Sequence, residues 1–453
     1  MIIKITSENP FFNSLMEKNP NSFQGIQLRE LKNGIAIGRV ISDHEYHMVF
    51  QDTKYSFSED SSNQIDFQSY CNPRVFLNLA SLFLRNFFVD KDKYFSKVVP
   101  WLERNVEALD TPHKHKLTVE NIYVDGFNMA RGFILSKYYP EVKLTYKSKN
   151  LYTLEIESDK TLYHVINLAM VVCLYLATSN YQPWYLHKEI CAKYAKILKN
   201  LSPVPYFVLY LFARKCIPTK AIFDELKPEL FSAYSGDIEL EWGSTQDMRL
   251  DSIRQRLFTP NNIPSDATQE DKDLLEFANP TLYQNVIEIG CGEMDYPRRF
   301  LKHMHPNYTW CSHDLTDYTT MAKTIQERTG KKFIFTQDFD QIPLLDDPSI
   351  IMIEMIEHME YQKAKELVST TIKKFSPAKL IITTPNYSFN QYFGFEEGRN
   401  FRHDDHQFEL TTEEFKKFIT DVVPKNYNIE FFGIGDKIDG ESLSLGVEIR
   451  RIK

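Results

Sequence analysis

Val286-Ile-Glu-Ile-Gly-Cys-Gly-Glu293 is an apolar run that ends on two glycines separated by one residue. The β-branched run reads as a strand, and Gly290 and Gly292 let the backbone turn sharply and come close to a ligand. Further apolar runs follow at 308–313, 332–335, 349–353 and 380–383, with helical spacing between them. This alternation predicts an α/β fold with a doubly wound, Rossmann-like parallel sheet, its ligand-bearing loops at the carboxyl ends of the strands. Asp314 closes the second predicted strand, 22 positions beyond Gly292. That is close to the spacing at which such sheets set a carboxylate on ribose hydroxyls. No third spaced glycine follows, which favours S-adenosylmethionine over a dinucleotide. The candidate donor residues are Glu288, Gly290, Gly292, Glu293 and Asp314, with Asp338 in the loop where adenine contacts would fall.

Two later stretches carry the second half of the chemistry. Glu354-Met-Ile-Glu357-His358 follows the apolar run 350–353, and His403-Asp-Asp-His406 lies beyond a predicted turn at Thr384-Pro385-Asn386. Spacings of three and four bring Glu354, Glu357 and His358 to one side if the chain turns or opens a helix there. Glu-x-x-Glu-His is also common on solvated helix faces, but its place at the end of a central strand, facing the donor pocket, favours ligation. Two carboxylates and two imidazoles suit Mn²⁺, Mg²⁺ or Zn²⁺ and leave coordination positions open. A vicinal diol, such as the 2′- and 3′-hydroxyls of a terminal ribose, would fill two of them. His406 is the expected fourth ligand, with His403 as its rival. A methyl donor beside such an ion points to metal-assisted O-methylation.

The composition sets the frame. A chain of 453 residues is too long for one ordinary core. A hydrophobic share of 43% with 25% charged residues is that of a globular protein and excludes a disordered or fibrous one. The net charge of −8 argues against a protein coated in nucleic acid, though not against a local basic groove. Six scattered cysteines without a Cys-x-x-Cys pair point to reduced thiols in a cytoplasmic protein. The N-terminus lacks the layout of a signal peptide, and the most apolar run, 165–177, is shorter than the roughly 20 residues a membrane span needs. A buried core helix is expected there.

Residues 1–155 mix strand-like runs (34–41 and 47–50) with one amphipathic helix over 73–88, as an α+β domain does. Residues 156–240 form a helical segment, and 241–453 carry the predicted doubly wound sheet. The polar, proline-punctuated stretch 258–271 reads as a linker with a helix start at Ser265 or Asp266. Arg399, Arg402, Lys416 and Lys417 are candidates for phosphate contacts, and Phe393, Phe395 or Phe401 for base stacking.

Four segments together resemble the RNA 3′-terminal ribose 2′-O-methyltransferases, the family of the plant and animal small-RNA methyltransferases. They are Ile287-Glu-Ile-Gly-Cys-Gly-Glu293, Ile353-Glu-Met-Ile-Glu-His-Met359, Thr383-Thr-Pro-Asn-Tyr-Ser-Phe-Asn390 and Phe401-Arg-His-Asp-Asp-His-Gln-Phe-Glu409. The resemblance spans roughly 245–453 and implies catalytic metal ligation by Glu354, Glu357, His358 and His406, which selects His406 over His403. Leu410 departs from the tryptophan usual after Phe-Glu. Segments beginning at Leu15, Tyr70 and Arg131 resemble more loosely the front half of the bacterial members. Those act in RNA repair beside a polynucleotide kinase–phosphatase–ligase and activate the ligase. The expectation is S-adenosylmethionine- and Mn²⁺- or Mg²⁺-dependent methylation of an RNA 3′ end, with that repair partner and no membrane. A metal-dependent small-diol methyltransferase and a non-catalytic scaffold that binds RNA ends and activates a ligase are the alternatives.

Overall fold

The computed structural model describes residues 1–17, 25–31, 34–52, 70–125, 129–179, 182–258, 281–393 and 401–452. The expected helix start at Ser265 or Asp266, with Phe395 and Arg399, lies outside the described residues. Contacts divide the chain into two compact units, 1–237 with 392–397, and 238–391 with 398–453.

In the first unit, β1 (Ile2–Ser7), β2 (Ile26–Leu31), β3 (Gly34–Ser42) and β4 (Glu45–Asp52) precede a two-residue pair, β5 (Val98–Val99) and β6 (Arg104–Asn105). β7 (His115–Tyr123), β8 (Val142–Ser148) and β9 (Leu151–Ser158) follow. Seven of these form an antiparallel sheet in the order β2-β3-β4-β1-β7-β9-β8. The apolar run becomes helix Leu162–Thr178, buried on all sides. It packs on β7, β9 and helices Pro73–Phe83, Lys188–Asn200 and Tyr206–Lys215, so sheet and helical segment share a core. A buried carboxylate, Asp110, accepts the N–H groups of Leu162 (2.7 Å) and Tyr163 (2.9 Å), donors the helix cannot satisfy itself.

The second unit holds β10 (Ile238–Glu239), β11 (Val286–Ile289), β12 (Trp310–His313), β13 (Phe333–Thr336) and β14 (Ser349–Ile353). β15 (Lys379–Pro385), β16 (Tyr427–Ile438) and β17 (Glu441–Arg451) complete an eight-stranded sheet ordered β10-β16-β17-β15-β14-β11-β12-β13. The block β13-β12-β11-β14-β15 is parallel, and β17, β16 and β10 join antiparallel. Period-two alternation sends Ile287, Ile289, Ile350, Met352, Leu380 and Ile382 to one face, against helices Tyr361–Phe375 and Thr412–Val422. It sends Val286, Ile351 and Ile381 to the other, against helices Thr245–Phe258, Asp295–Phe300 and Thr319–Thr329. Both faces are covered, as the near-continuous apolar runs require. The expected doubly wound sheet is present.

One local expectation is corrected. Thr384-Pro385-Asn386 is not a turn: β15 runs on through Pro385, with Thr384 opposite Leu445 and Pro385 opposite Ser444. Proline is tolerated there because it ends the strand. Of the two alternatives at Glu354, a turn or a helix start, the chain takes the turn. It turns on a left-handed residue (φ 46°) before a single 3₁₀ turn, Ile356–His358. No helix among the described residues is long and apolar enough to cross a membrane.

Candidate active site

β11 and β14 are neighbours whose crossovers leave in opposite directions, to β12 and to β15. At such a switch point the loops diverge and open a crevice beyond the carboxyl ends of the strands. The glycine turn follows β11, and the Glu354 loop follows β14. The two loops touch: Gly290 has φ 74°, and a Cβ built on it would lie 2.2 Å from Met355 Cγ. Only glycine fits that contact. Gly292 is also left-handed (φ 47°), but an added Cβ would meet nothing within 4 Å, so its outer side faces open space.

That space is bordered by Asp314, whose Oδ2 accepts the Gly292 N–H at 2.9 Å and whose Oδ1 accepts that of Thr316 at 2.9 Å. The carboxylate fixes the turn and keeps lone pairs for hydroxyl donors. Leu315, the next residue, is 83% exposed at a strand end, where an apolar side chain gains by meeting a flat ring. A lone leucine carries no signal in sequence until its exposure is seen. Gln337 Nε2 donates to the Leu315 carbonyl at 3.0 Å, tying the two loops together. Exposed Asp338 spends its Oδ1 on the Asp340 N–H (2.9 Å), and Glu293 is exposed beside the turn.

Glu288 does not enter the crevice. It is buried and accepts from Ser312 Oγ (2.6 Å) and Trp310 Nε1 (3.3 Å), cross-linking β11 to β12. Burial raises its carboxyl to about 8, against the lowering effect of these donors. The folded state therefore prefers the protonated acid. The resulting stability is complete below the ordinary glutamate range and drains away as pH rises towards 8. Glu288→Gln should flatten that slope, at most about 1.4 kcal/mol per pH unit, in urea titrations between pH 5 and 8.

Glu357 and His358 on the other loop, and His406 from the later stretch 401–410, bring one ligand atom each to within 4.8 Å of one another. Glu357 is fully buried. Its Oε2 accepts from Thr384 Oγ1 at 3.0 Å, while Oε1 has no hydrogen-bond partner. Burial, and after it the charge of Glu354, push its carboxyl well above the usual range. A buried carboxylate oxygen without a donor, facing two imidazoles, is the chemistry of a cation site. The residues fit a divalent ion.

His406 is presented by its neighbours. Its Nδ1 lies 2.6 Å from Glu409 Oε1, which leaves Nε2 as the free ring nitrogen. Glu409 is buried, accepting from Asn390 Nδ2 (2.5 Å) and the Arg402 N–H (2.7 Å) as well. A carboxylate behind an imidazole fixes tautomer and ring orientation. His358 pairs through Nδ1 with exposed Asp405 (3.1 Å), and the ring of His403 stands 5.1 Å from that of His406.

Glu354 stands apart from this trio. Its Oε2 pairs with Arg249 Nη2 at 2.8 Å, and its Oε1 accepts from Thr383 Oγ1 at 3.0 Å. Arg249 was not legible as a partner because more than a hundred residues separate it from Glu354.

The strand-binding candidates divide. Arg402 is committed internally, donating to Asn390 Oδ1 (2.6 Å) and the Asn386 carbonyl (2.7 Å), so it holds the Glu409 network rather than a phosphate. Phe393 belongs to the first unit, where its ring meets Tyr206 and Tyr210 edge-on at 5.9 and 6.1 Å. Phe401 packs edge-on against Tyr387 (6.3 Å). Lys417 pairs with Asp421 (3.1 Å), and Lys416 is exposed.

The family model for the Hen1 N-terminal domain matches residues 2–235. Over 100% of both chains, at 31% identity and a TM-score of 0.81, this chain is similar to one in the solved structure of the Pnkp1/Rnl/Hen1 RNA repair complex. Shorter stretches resemble small RNA 2′-O-methyltransferases. One is from Arabidopsis thaliana, 36% identical over 96 residues (18% of this chain, 10% of that protein). Another is from Xenopus tropicalis, 37% identical over 94 residues (20% of this chain, 25% of that protein). The chain thus spans a quarter or less of these curated relatives. By its front half and by its full-length structural match, the chain belongs to the Hen1 family.

Proposed function

We propose that this chain transfers the methyl group of S-adenosylmethionine to the 2′-hydroxyl of the 3′-terminal ribose of RNA. A divalent cation, Mn²⁺ or Mg²⁺, would be held by Glu357, His358 and His406, with Glu354 joining once it leaves Arg249. The observation that carries this reading is the meeting, at one switch point, of a glycine turn with a buried, half-unpaired carboxylate and two imidazoles. The family adds the substrate: its relatives are small RNA 2′-O-methyltransferases, and its full-length counterpart sits in an RNA repair complex. Action in RNA repair beside a kinase–phosphatase and a ligase, in the cytoplasm, follows as part of the proposal.

When bound, the cation supplies Lewis-acid charge that lowers the pKa of a hydroxyl beside it. The chain's own residues do the rest. Gly292 and Asp314 hold the donor's nucleoside end, and Leu315 offers it an apolar face. Met355, seated under Gly290, fixes the distance between the two loops. Glu409 keeps the His406 proton on Nδ1. In the transfer the sulfur–methyl bond breaks with its electron pair left on sulfur, and the 2′-oxygen forms the new bond as its proton passes to water. The protein's contribution is mainly position.

The test is transfer of labelled methyl to a short RNA, followed by nuclease mapping of the label. Label on the terminal 2′-oxygen, lost when the 3′ end carries a phosphate, is expected. Label on catechol with none on RNA would instead make this a small-diol enzyme. A further expectation concerns Glu409→Gln: Mn²⁺ affinity by calorimetry should fall about 10- to 100-fold with the circular dichroism spectrum unchanged. Undiminished affinity would remove Glu409 from the site.

A further inference from the structure

Arg249 has more to do than pair with Glu354. Helix Thr245–Phe258 presents it between the two loops, and its Nη1 donates to Gln246 Oε1 at 3.1 Å. Gln246 Nε2 in turn donates to Asp295 Oδ2 at 2.9 Å, on the first residue of the helix that follows the glycine turn. One residue on, Tyr296 is buried, and that burial raises its phenol, with the charge of Arg249 acting against it.

Two donors in this cluster lack an acceptor: Arg249 Nε and the Tyr296 hydroxyl. Leaving a buried donor unmatched costs about 1–3 kcal/mol. Two of them in one cluster beside the glycine turn call for an acceptor that the chain does not provide. Beside a guanidinium, the acceptor that gains most is an anion with two oxygens, which is a carboxylate. The donor molecule carries one on its amino-acid end.

We infer that Arg249 is shared between the two half-sites, an inference that rests on the donor and cation sites proposed above. Without a cation, Arg249 holds Glu354. When a cation takes Glu354, the guanidinium is left unpaired and, with Tyr296, takes the donor's carboxylate. An unpaired charge that is mostly withdrawn from solvent is costly, so each partner strengthens the other. Linkage requires the factor to be the same in both directions.

The experiment is calorimetric titration of the full chain with S-adenosylhomocysteine, in EDTA and in saturating Mn²⁺. Binding at least about 5-fold tighter with Mn²⁺ is expected. 5′-Methylthioadenosine, which lacks the amino-acid end, should bind equally in both. Arg249→Gln should bind Mn²⁺ more tightly on its own, bind S-adenosylhomocysteine more weakly, and lose the coupling; Arg249→Lys should keep part of it. Equal affinity of the wild-type chain for S-adenosylhomocysteine with and without Mn²⁺ overturns the inference and leaves the proposed function standing. Coupling undiminished in Arg249→Gln, or shared by 5′-methylthioadenosine, also overturns it. Failure to bind S-adenosylhomocysteine under either condition sinks the proposed function instead.

Discussion

Glu357→Ala should bring methyl transfer to RNA down to background, at least about 1,000-fold below the unaltered chain. The magnitude follows from what a Lewis acid contributes, several kcal/mol, at about 1.4 kcal/mol per factor of ten. Glu357 is the only buried carboxylate of the trio, and its Oε1 has no other employment. The loss should not be a folding defect. Burial and the neighbouring Glu354 already disfavour the ionised carboxylate, so its removal relieves a cost that offsets the small cavity left behind. In thermal melts, the metal-free variant should stay within a few degrees of the parent, and Mn²⁺ should no longer raise its melting temperature. A variant that Mn²⁺ still stabilises as strongly as the parent would place the ion elsewhere.

Asp314→Ala should weaken S-adenosylhomocysteine binding by about 100-fold. Hydrogen bonds to a charged group contribute about 1.5–3 kcal/mol each, and ribose offers two hydroxyls. The substitution also frees the Gly292 N–H from its 2.9 Å bond, loosening the turn that Gly290 and Met355 position. Asp314→Asn keeps one acceptor and should fall between the two. The effect belongs in donor affinity, with Mn²⁺ binding in the absence of donor little changed. Unaltered affinity for S-adenosylhomocysteine would move the nucleoside end away from β12.

The parallel strands were legible because their apolar runs are short, β-branched and bounded by polar turns. Val286–Ile289 and Ser349–Ile353 were placed to the residue. The β16–β17 hairpin was passed over, although Asp439-Gly440 carried its signal. Both residues have positive φ (50° and 88°), as the two central residues of a tight hairpin turn need. The Thr-Pro-Asn turn was misread because proline's usual meaning gave way to a strand end. At the site, Glu357, His358 and His406 lie together, while Glu354, which spacing puts on the same side as Glu357 and His358, pairs with Arg249 instead. Glu288, read as a donor contact, faces a neighbouring strand: a residue next to a glycine turn can point either way, and period-two geometry sends this one to Ser312 and Trp310. Arg402 looked like a phosphate ligand because an exposed arginine and one that braces a loop are indistinguishable in sequence. Glu409 and Arg249 act through contacts that only the folded chain creates.

The most direct measurement is methyl transfer from S-adenosylmethionine to a short RNA with a free 3′ end, before and after removal of divalent ions with EDTA. Activity should vanish with the chelator and return when Mn²⁺ or Mg²⁺ is restored, with the label on the terminal ribose. Transfer that proceeds undiminished in EDTA would contradict a cation held by Glu357, His358 and His406.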